Sequence, residues 1–460
     1  MRNLTTLATC MALAGCSYIP LYQRPEAPVA SQWSQAEGQR RAADLTWRQA
    51  FPDRRLQALI EAALDNNRDM RIAVARVAEA RAIYGIQKAD TLPTLNLGAS
   101  HAAARVPADL STTGRASTMR RNDLNVALPA FELDFWGRVA SLSEAARASY
   151  LASEEAQRAF RLSLITNVVD AYLAVKEAEE RLTLAQTTLS TRAETRTMID
   201  KRREAGLTSD LDYLAADSSY QTAQADVANL ARQRALAQNF LDALVGVQKA
   251  DWPAGRALAE QGIVNDLDAG IPSDVLIRRP DVLAAEERLK AANANIGAAR
   301  AAFFPRISLT AALGFASRDL ANLFDGGAWS YQPVLTLPLF DGGRTQANLD
   351  LAQVRKNIAV AEYEKTIQQA FREVADGLAA RAALSEQLSA QVRLEATQSK
   401  RLMLAEARYR EGLSSYLDVL DAQRELFAAQ QGTIQIRRAL LSANVQLYAA
   451  LGGGGEGAGS

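Results

Sequence analysis

Residues 412–423 read GLSSYLDVLDAQ, and residues 206–217 read GLTSDLDYLAAD. The two stretches lie 206 residues apart and agree, without a gap, at 7 of their 12 positions. Each follows a very long helical pattern and precedes a second one. Glycine readily adopts the left-handed backbone that ends a helix, and the Ser or Thr after it can cap the next. Each stretch is therefore expected to be the tip of a helical hairpin. The chain reads as a tandem duplication organised around two such tips.

Upstream of the first tip, Leu164, Val168, Ala171, Val175, Ala178, Leu182, Ala185 and Leu189 alternate spacings of four and three. That is the heptad seam of helices packed side by side. A helix over 139–204 would be roughly 100 Å long at 1.5 Å per residue. No compact domain holds such a rod, so it must lie along partners. After the tip a second helix returns to about Gly246. A Pro/Gly-punctuated connector, 250–279, precedes the second copy. Residues 281–305 align with 69–93, pairing Arg288 with Arg76 and Gly297 with Gly85. The turn Asp341-Gly342-Gly343-Arg344 matches Gly137-Arg138 at the smaller offset of the tips. Six residues are thus missing from the second strand pair, an absence expected in its connecting loop. The second long helix follows with Ile367, Phe371, Val374 and Leu378.

Between the helices the period changes to two. Leu95, Leu97 and Ala99 alternate with Thr94, Asn96 and Gly98; a polar loop is expected over 108–121, and a second strand runs through Leu124, Val126 and Leu128. In the second copy Ile307, Leu309, Ala311, Leu313 and Phe315 share one face. Trp329, Tyr331, Leu335, Leu337 and Leu339 share the face of the next strand. Runs of this length and alternation fit strands that cross an outer membrane, although a soluble sheet under a helix would alternate as well. Trp136 and Trp329 are candidates for interfacial aromatics, with core packing as the alternative. Four strands cannot close a barrel, and open edges are not tolerated in lipid. Three chains would supply about twelve strands.

The N-terminal residues point to the same compartment. Met1–Cys16 has the form of an export signal ending in Leu-Ala-Gly-Cys, a bacterial lipobox, which would leave Cys16 lipid-modified. A plain signal peptide that contains a cysteine is the alternative. Ser17 after the Cys fits dispatch to the outer membrane. Residues 17–35 read as an extended arm. With Cys10 removed and Cys16 acylated, no thiol remains, and His101 is the only histidine. No catalytic or metal site is expected, and an enzyme is disfavoured. The 52 Lys+Arg balance 52 Asp+Glu, so no basic field suggests nucleic acid. There is no phosphate-binding Gly-Lys loop, hence no nucleotide and no cofactor beyond the lipid.

The residues Cys16, Tyr22-Gln-Arg-Pro25, Ile271-Pro-Ser-Asp274, Arg279-Pro-Asp281 and Tyr416-Leu-Asp-Val-Leu-Asp-Ala-Gln-Arg424 carry a resemblance over essentially the whole mature chain. The chain resembles the outer-membrane factor family, the TolC-like channel-tunnels, and within it the lipoprotein branch typified by OprM, which serves multidrug efflux pumps. The resemblance implies a mainly α chain with transmembrane β-strands. Four strands per protomer would contribute to a trimeric twelve-stranded outer-membrane barrel continuous with a long periplasmic helical barrel. The expected organisation is a signal over 1–15 and a lipidated arm over 16–50. A first repeat over 51–249 holds a strand pair (91–135) and a hairpin (139–246). After the connector, a second repeat over 280–451 holds strands (303–340) and a hairpin (344–451), before a Gly-rich tail (452–460). Implied partners are two further copies, outer-membrane lipid, a periplasmic adaptor and an inner-membrane pump of the RND type.

At the second tip the carry-over gives Leu417 as an apolar constriction, Asp418 and Asp421 as acidic rings able to bind cations, and Arg424 as a carboxylate partner holding the closed state. An ordinary acidic helix start is the alternative. Because Ala215 stands where the second copy has Asp421, the gate is placed on the second hairpin. Gly206, Leu207, Thr208 and Ser209, with Gly412, Leu413, Ser414 and Ser415, are the candidate adaptor contacts. The expected function is a passive exit duct for drugs or other small molecules. A protein-secretion or metal-efflux outlet is the alternative within transport, and an envelope-bridging structural lipoprotein the alternative outside it.

Overall fold

The computed structural model describes residues 17–29, 40–247, 251–268 and 278–453. Cys16, Ile271–Asp274 and the end of the Gly-rich tail lie outside these residues. The described helices are α1 (Trp47–Ala50), α2 (Arg54–Asn66), α3 (Arg68–Ala89), α4 (Arg138–Glu204), α5 (Asp210–Val245), α6 (Pro280–Ala301), α7 (Arg344–Arg410) and α8 (Tyr416–Ala450). The strands are β1 (Arg40–Arg41), β2 (Asn96–Val106), β3 (Ser117–Glu132), β4 (Leu267–Asp268), β5 (Arg306–Ser317) and β6 (Gly327–Thr336). The chain folds as two compact units, each drawn from both copies of the duplication.

One unit holds residues 76–154 and 284–363 with the arm up to Glu26. Its antiparallel sheet runs in the order β2-β3-β5-β6. Register places Leu97 opposite Val126, Val126 opposite Leu313 and Leu313 opposite Trp329. One apolar row thus crosses all four strands, and Leu97, Leu313 and Trp329 are each about 70–80% exposed on this chain. The neighbouring row is Gly98, Asn125, Gly314 and Ala328. A side chain at Gly314 would strike the Leu124 carbonyl at 2.1 Å, so the two central strands meet there backbone to backbone. Past Leu128 the register slips by a bulge at Pro129 and Ala130, the latter at φ 41°. The outer edges of β2 and β6 carry no strand among the described residues.

Three expectations change here. The loop expected over 108–121 is shorter, because β3 begins at Ser117 and pairs with Val106. The six-residue difference lies in strand length rather than in the loop: β3 has 16 residues and β6 has 10. Leu337 and Leu339 also fall beyond the end of β6 at Thr336. Trp136 stacks on Phe304 at 4.9 Å and donates its ring N–H to the Pro305 carbonyl at 2.8 Å, which is local packing at the strand–helix turn.

The arm lies along α6. Arg24 grips the buried Glu286 with two hydrogen bonds of 3.0 and 2.8 Å, and Tyr22 donates to the same carboxylate at 3.1 Å. Asn293 donates to the Pro20 carbonyl at 2.7 Å. Gly297 leaves the space that Ile19 fills: a Cβ there would sit 2.6 Å from the Ile19 side chain.

The other unit holds residues 27–75, 155–283 and 364–453, and contains the paired hairpins. The heptad seam is its core. Leu164, Val168, Ala171, Val175, Ala178 and Ala185 of α4 are buried, as are Ile367, Ala370, Val374 and Leu378 of α7. Asp53 caps α2 through the Arg55 and Leu56 amides and also accepts from the Tyr172 hydroxyl and the Arg256 amide, each at 2.9 Å. Burial works against its charge, but these donors, with the Arg256 amide foremost, hold the carboxyl below its usual range. Arg279 is buried against Asp281 at 2.6 Å, Glu373 at 2.7 Å and the Ala450 carbonyl at 3.2 Å. It ties the start of α6 to α7 and α8.

Candidate functional site

Both tips are built the same way. Gly206 at φ 72° and Gly412 at φ 73° take the left-handed conformation. The Leu207 amide donates back to Arg202 at 2.8 Å and the Leu413 amide to Arg408 at 2.9 Å. Each bond closes a Schellman turn. The next helix then starts from a serine. Asp212 accepts from the Ser209 hydroxyl at 2.9 Å and the Thr208 hydroxyl at 2.8 Å. Asp418 accepts from both the amide and the hydroxyl of Ser415 at 3.2 Å. These are capping-box carboxylates. The Thr208 and Ser209 hydroxyls hold the Asp212 carboxyl below its usual range.

Asp418 is therefore occupied by its own helix start. Asp421, one turn further along α8, takes a different partner. Its two oxygens accept from Arg401 on α7 at 2.5 Å and from Arg424 at 2.6 Å. The hydrogen bond from Arg401, aided by the charges of Arg401 and Arg424, holds the Asp421 carboxyl low. Asp421 is thus a clasp across the second hairpin, with two guanidinium groups on one carboxylate. Arg424 joins Asp421, as its spacing allows. Arg401 lies 20 residues upstream of its partner, and no local pattern marks it.

The first hairpin has its own clasp at another height. Ala215 stands at the Asp421 position, and Arg196 of α4 pairs instead with Asp217 of α5 at 2.5 Å. Arg196 also lies over the rings of Tyr213 and Tyr220. Ile199, Ala216, Tyr416 and Val419 form a buried cluster that joins the two hairpins just behind their tips. Tyr409 packs against it, with its ring 5.5 Å from that of Tyr416. Burial, followed by the neighbouring Tyr409, pushes the Tyr416 hydroxyl up to about 12.

The candidate leucines face outward, whereas Thr208 and Ser414 are half-buried. Leu207 and Leu413 are each 69% exposed and Leu417 is 57% exposed. Leu417 and Leu211 occupy equivalent positions, and both are open on this chain. The tips therefore combine a ring-packed interior, arginine–aspartate clasps and bare leucines. His101 is a strand residue whose ring nitrogen lies 2.7 Å from the Asn122 side-chain oxygen. Among the described residues, no group of His, Cys, Asp and Glu could hold a metal ion, and no helix is long and apolar enough to cross a membrane.

Residues 59–247 and 271–453 each match the outer membrane efflux protein family. The chain is 45% identical to the outer membrane protein OprJ of Pseudomonas aeruginosa, over 98% of this chain and 96% of that one. It is also 45% identical, over 98% of this chain and 96% of that one, to the toluene efflux pump outer membrane protein TtgF of Pseudomonas putida. Among solved structures, the open state of the MtrE outer membrane channel of Neisseria gonorrhoeae superposes with a TM-score of 0.87 at 38% identity, covering 95% of this chain and 98% of that one.

Proposed function

This chain belongs to the outer membrane efflux protein family, and from that premise we propose that it is the outer-membrane exit duct of a tripartite efflux system. The single observation that carries this reading is the sheet. Its apolar row lies bare across four strands, and among the described residues its two outer edges are unpaired. In lipid such edges must be closed, which supports three copies sharing one barrel. The paired hairpins have the heptad cores of a helical conduit, and their exposed leucines suit docking to a periplasmic adaptor. The duct is passive: energy enters through an inner-membrane pump, for which the resemblance favours the RND type. A relative named for toluene efflux supports a small-molecule cargo rather than a polypeptide or metal cargo.

Lipidation at Cys16 and a gate at the second tip belong to the same reading. In the gate, the clasp of Asp421 with Arg401 and Arg424 holds α8 against α7, with Leu417 as the apolar constriction. Gly206–Ser209 and Gly412–Ser415 are the adaptor contacts. A ring of free carboxylates is a poorer description of this mouth, since Asp418 is a helix cap and Asp421 is neutralised within its own chain.

Single-channel recording of the purified protein in planar bilayers tests the reading. The expected result is a small conductance that rises when Asp418 and Asp421 are both changed to Ala. An unchanged pore would move the gate elsewhere. A folded trimer that conducts nothing would overturn the duct.

A further inference from the structure

Arg192 of α4 lies seven residues before Ile199 of the tip core. It is 7% exposed, enclosed by α4, α5 and α8. Its one hydrogen bond runs from a terminal nitrogen to the Ser219 carbonyl of α5 at 3.0 Å. From α8 it is covered by the Phe427 ring, whose centroid lies 5.8 Å from the guanidinium carbon. Its Nε is buried with no acceptor. The acidic group that influences it, Asp226, acts through charge alone, without a hydrogen bond. Burial accordingly lowers the affinity of this guanidinium for its proton, the reverse of the trend at the paired Arg196 and Arg279.

Of the five donors a guanidinium carries, one terminal N–H reaches the Ser219 carbonyl and the Nε–H is buried without an acceptor. A buried charge without a carboxylate is expensive to keep from water, and a ring at nearly 6 Å offsets little of that. The cover that excludes water comes from the second hairpin, whereas the one acceptor comes from the first. Separation of α8 from α4 and α5 would therefore hydrate Arg192 without breaking its hydrogen bond.

We propose that Arg192 is a positioning residue of the gate, a buried charge that opposes closure of the second hairpin on the first. The Tyr416 cluster holds the two hairpins together, and Arg192 loads that closure so that a modest push on α8 suffices to release it. This rests on the duct reading above for its function, but the opposing charge is testable without it.

The experiment compares wild type with Arg192→Met, Arg192→Gln and Phe427→Ala, using thermal melting of the purified full chain and single-channel recording. Arg192→Met removes the charge and keeps the volume. It is expected to raise the melting temperature and to cut the fraction of time open several-fold, with unitary conductance unchanged. Arg192→Gln, which keeps polarity, should shift both readouts the same way by less. In the Phe427→Ala background, where water reaches Arg192, Arg192→Met should have little further effect. A lower melting temperature with more opening in both Arg192 variants would overturn the proposal and make the residue a plain structural link through Ser219. Full additivity with Phe427→Ala would also overturn it. If wild type conducts nothing, the duct reading fails while the melting comparison still decides the role of Arg192.

Discussion

The second tip turns on what each of its two carboxylates is used for. Asp418 and Asp421 are three residues apart on one helix, yet they do different work. Asp418 closes a capping box with Ser415, whereas Asp421 reaches across the hairpin to Arg401. The Asp421 carboxyl is held low by that guanidinium, so its contribution to tip closure is present above its ordinary value of about 3.9. It is lost only as pH falls through the lower value of the folded chain. Conductance of the wild type is therefore expected to stay level from about pH 8 to pH 5 on this account. Replacing Arg401 by Gln removes the main cause of the lowering. In that variant the acid-side change should begin at higher pH and resting conductance should increase. Recordings over a pH series compare the two directly.

Among the elements, the arm and α6 show how a short extended segment is held. Five successive contacts, from Tyr18 stacked on Phe304 just past the end of α6 to Arg24 on Glu286, pin it along that helix. The closest of them depends on Gly297 having no side chain. Valine there would meet Ile19 at a separation no real Cβ tolerates. The same Cβ would meet the Ser141 hydroxyl of α4 at 2.7 Å, so Gly297→Val is expected to lift the arm and turn that hydroxyl aside, while α6, whose own backbone tolerates valine at about 0.6 kcal/mol relative to alanine, stays helical. Hydrogen exchange at the arm amides should rise by orders of magnitude, with exchange in β3 and β5 unchanged. The strand pair shows the same dependence on contact. β3 is longer than β6 because it is paired on both sides and continues through a bulge to Glu132, a property of its neighbours rather than of its residues.

For the whole molecule, the division between the two faces of the sheet is the feature on which membrane insertion depends. Leu313 sits in the row running from Leu97 to Trp329, and Gln332 lies on the opposite face, across from Thr310. A charge at a lipid-facing position costs about 2–4 kcal/mol near the midplane, whereas a lumen-facing one is tolerated. Leu313→Arg is expected to cut insertion into liposomes sharply, and Gln332→Arg to leave it near wild type while altering ion selectivity. Equal insertion of the two would place the sheet outside the membrane. The trimer carries the complementary expectation at this scale, because a single copy leaves the edges of β2 and β6 open.

The duplication, the hairpin tips, the heptad seam and the alternating strands were all legible in the order of residues. Each is a short-range property: a glycine forced to positive φ, a serine placed to cap, an apolar residue returning every 3.5 or every 2 positions. The tip residues themselves could be named for the same reason. What the order of residues could not say is which groups meet once separate elements pack. Arg401 as the partner of Asp421, Glu286 as the anchor of the arm and Arg192 as a charge sealed beneath Phe427 each join residues from different elements. Such pairings follow from the packing of whole helices, which decides what is buried and what water can reach. Asp418 and Asp421 look alike, but Ser415 three residues back makes the first a cap, and only the neighbouring helix, through Arg401, makes the second a clasp.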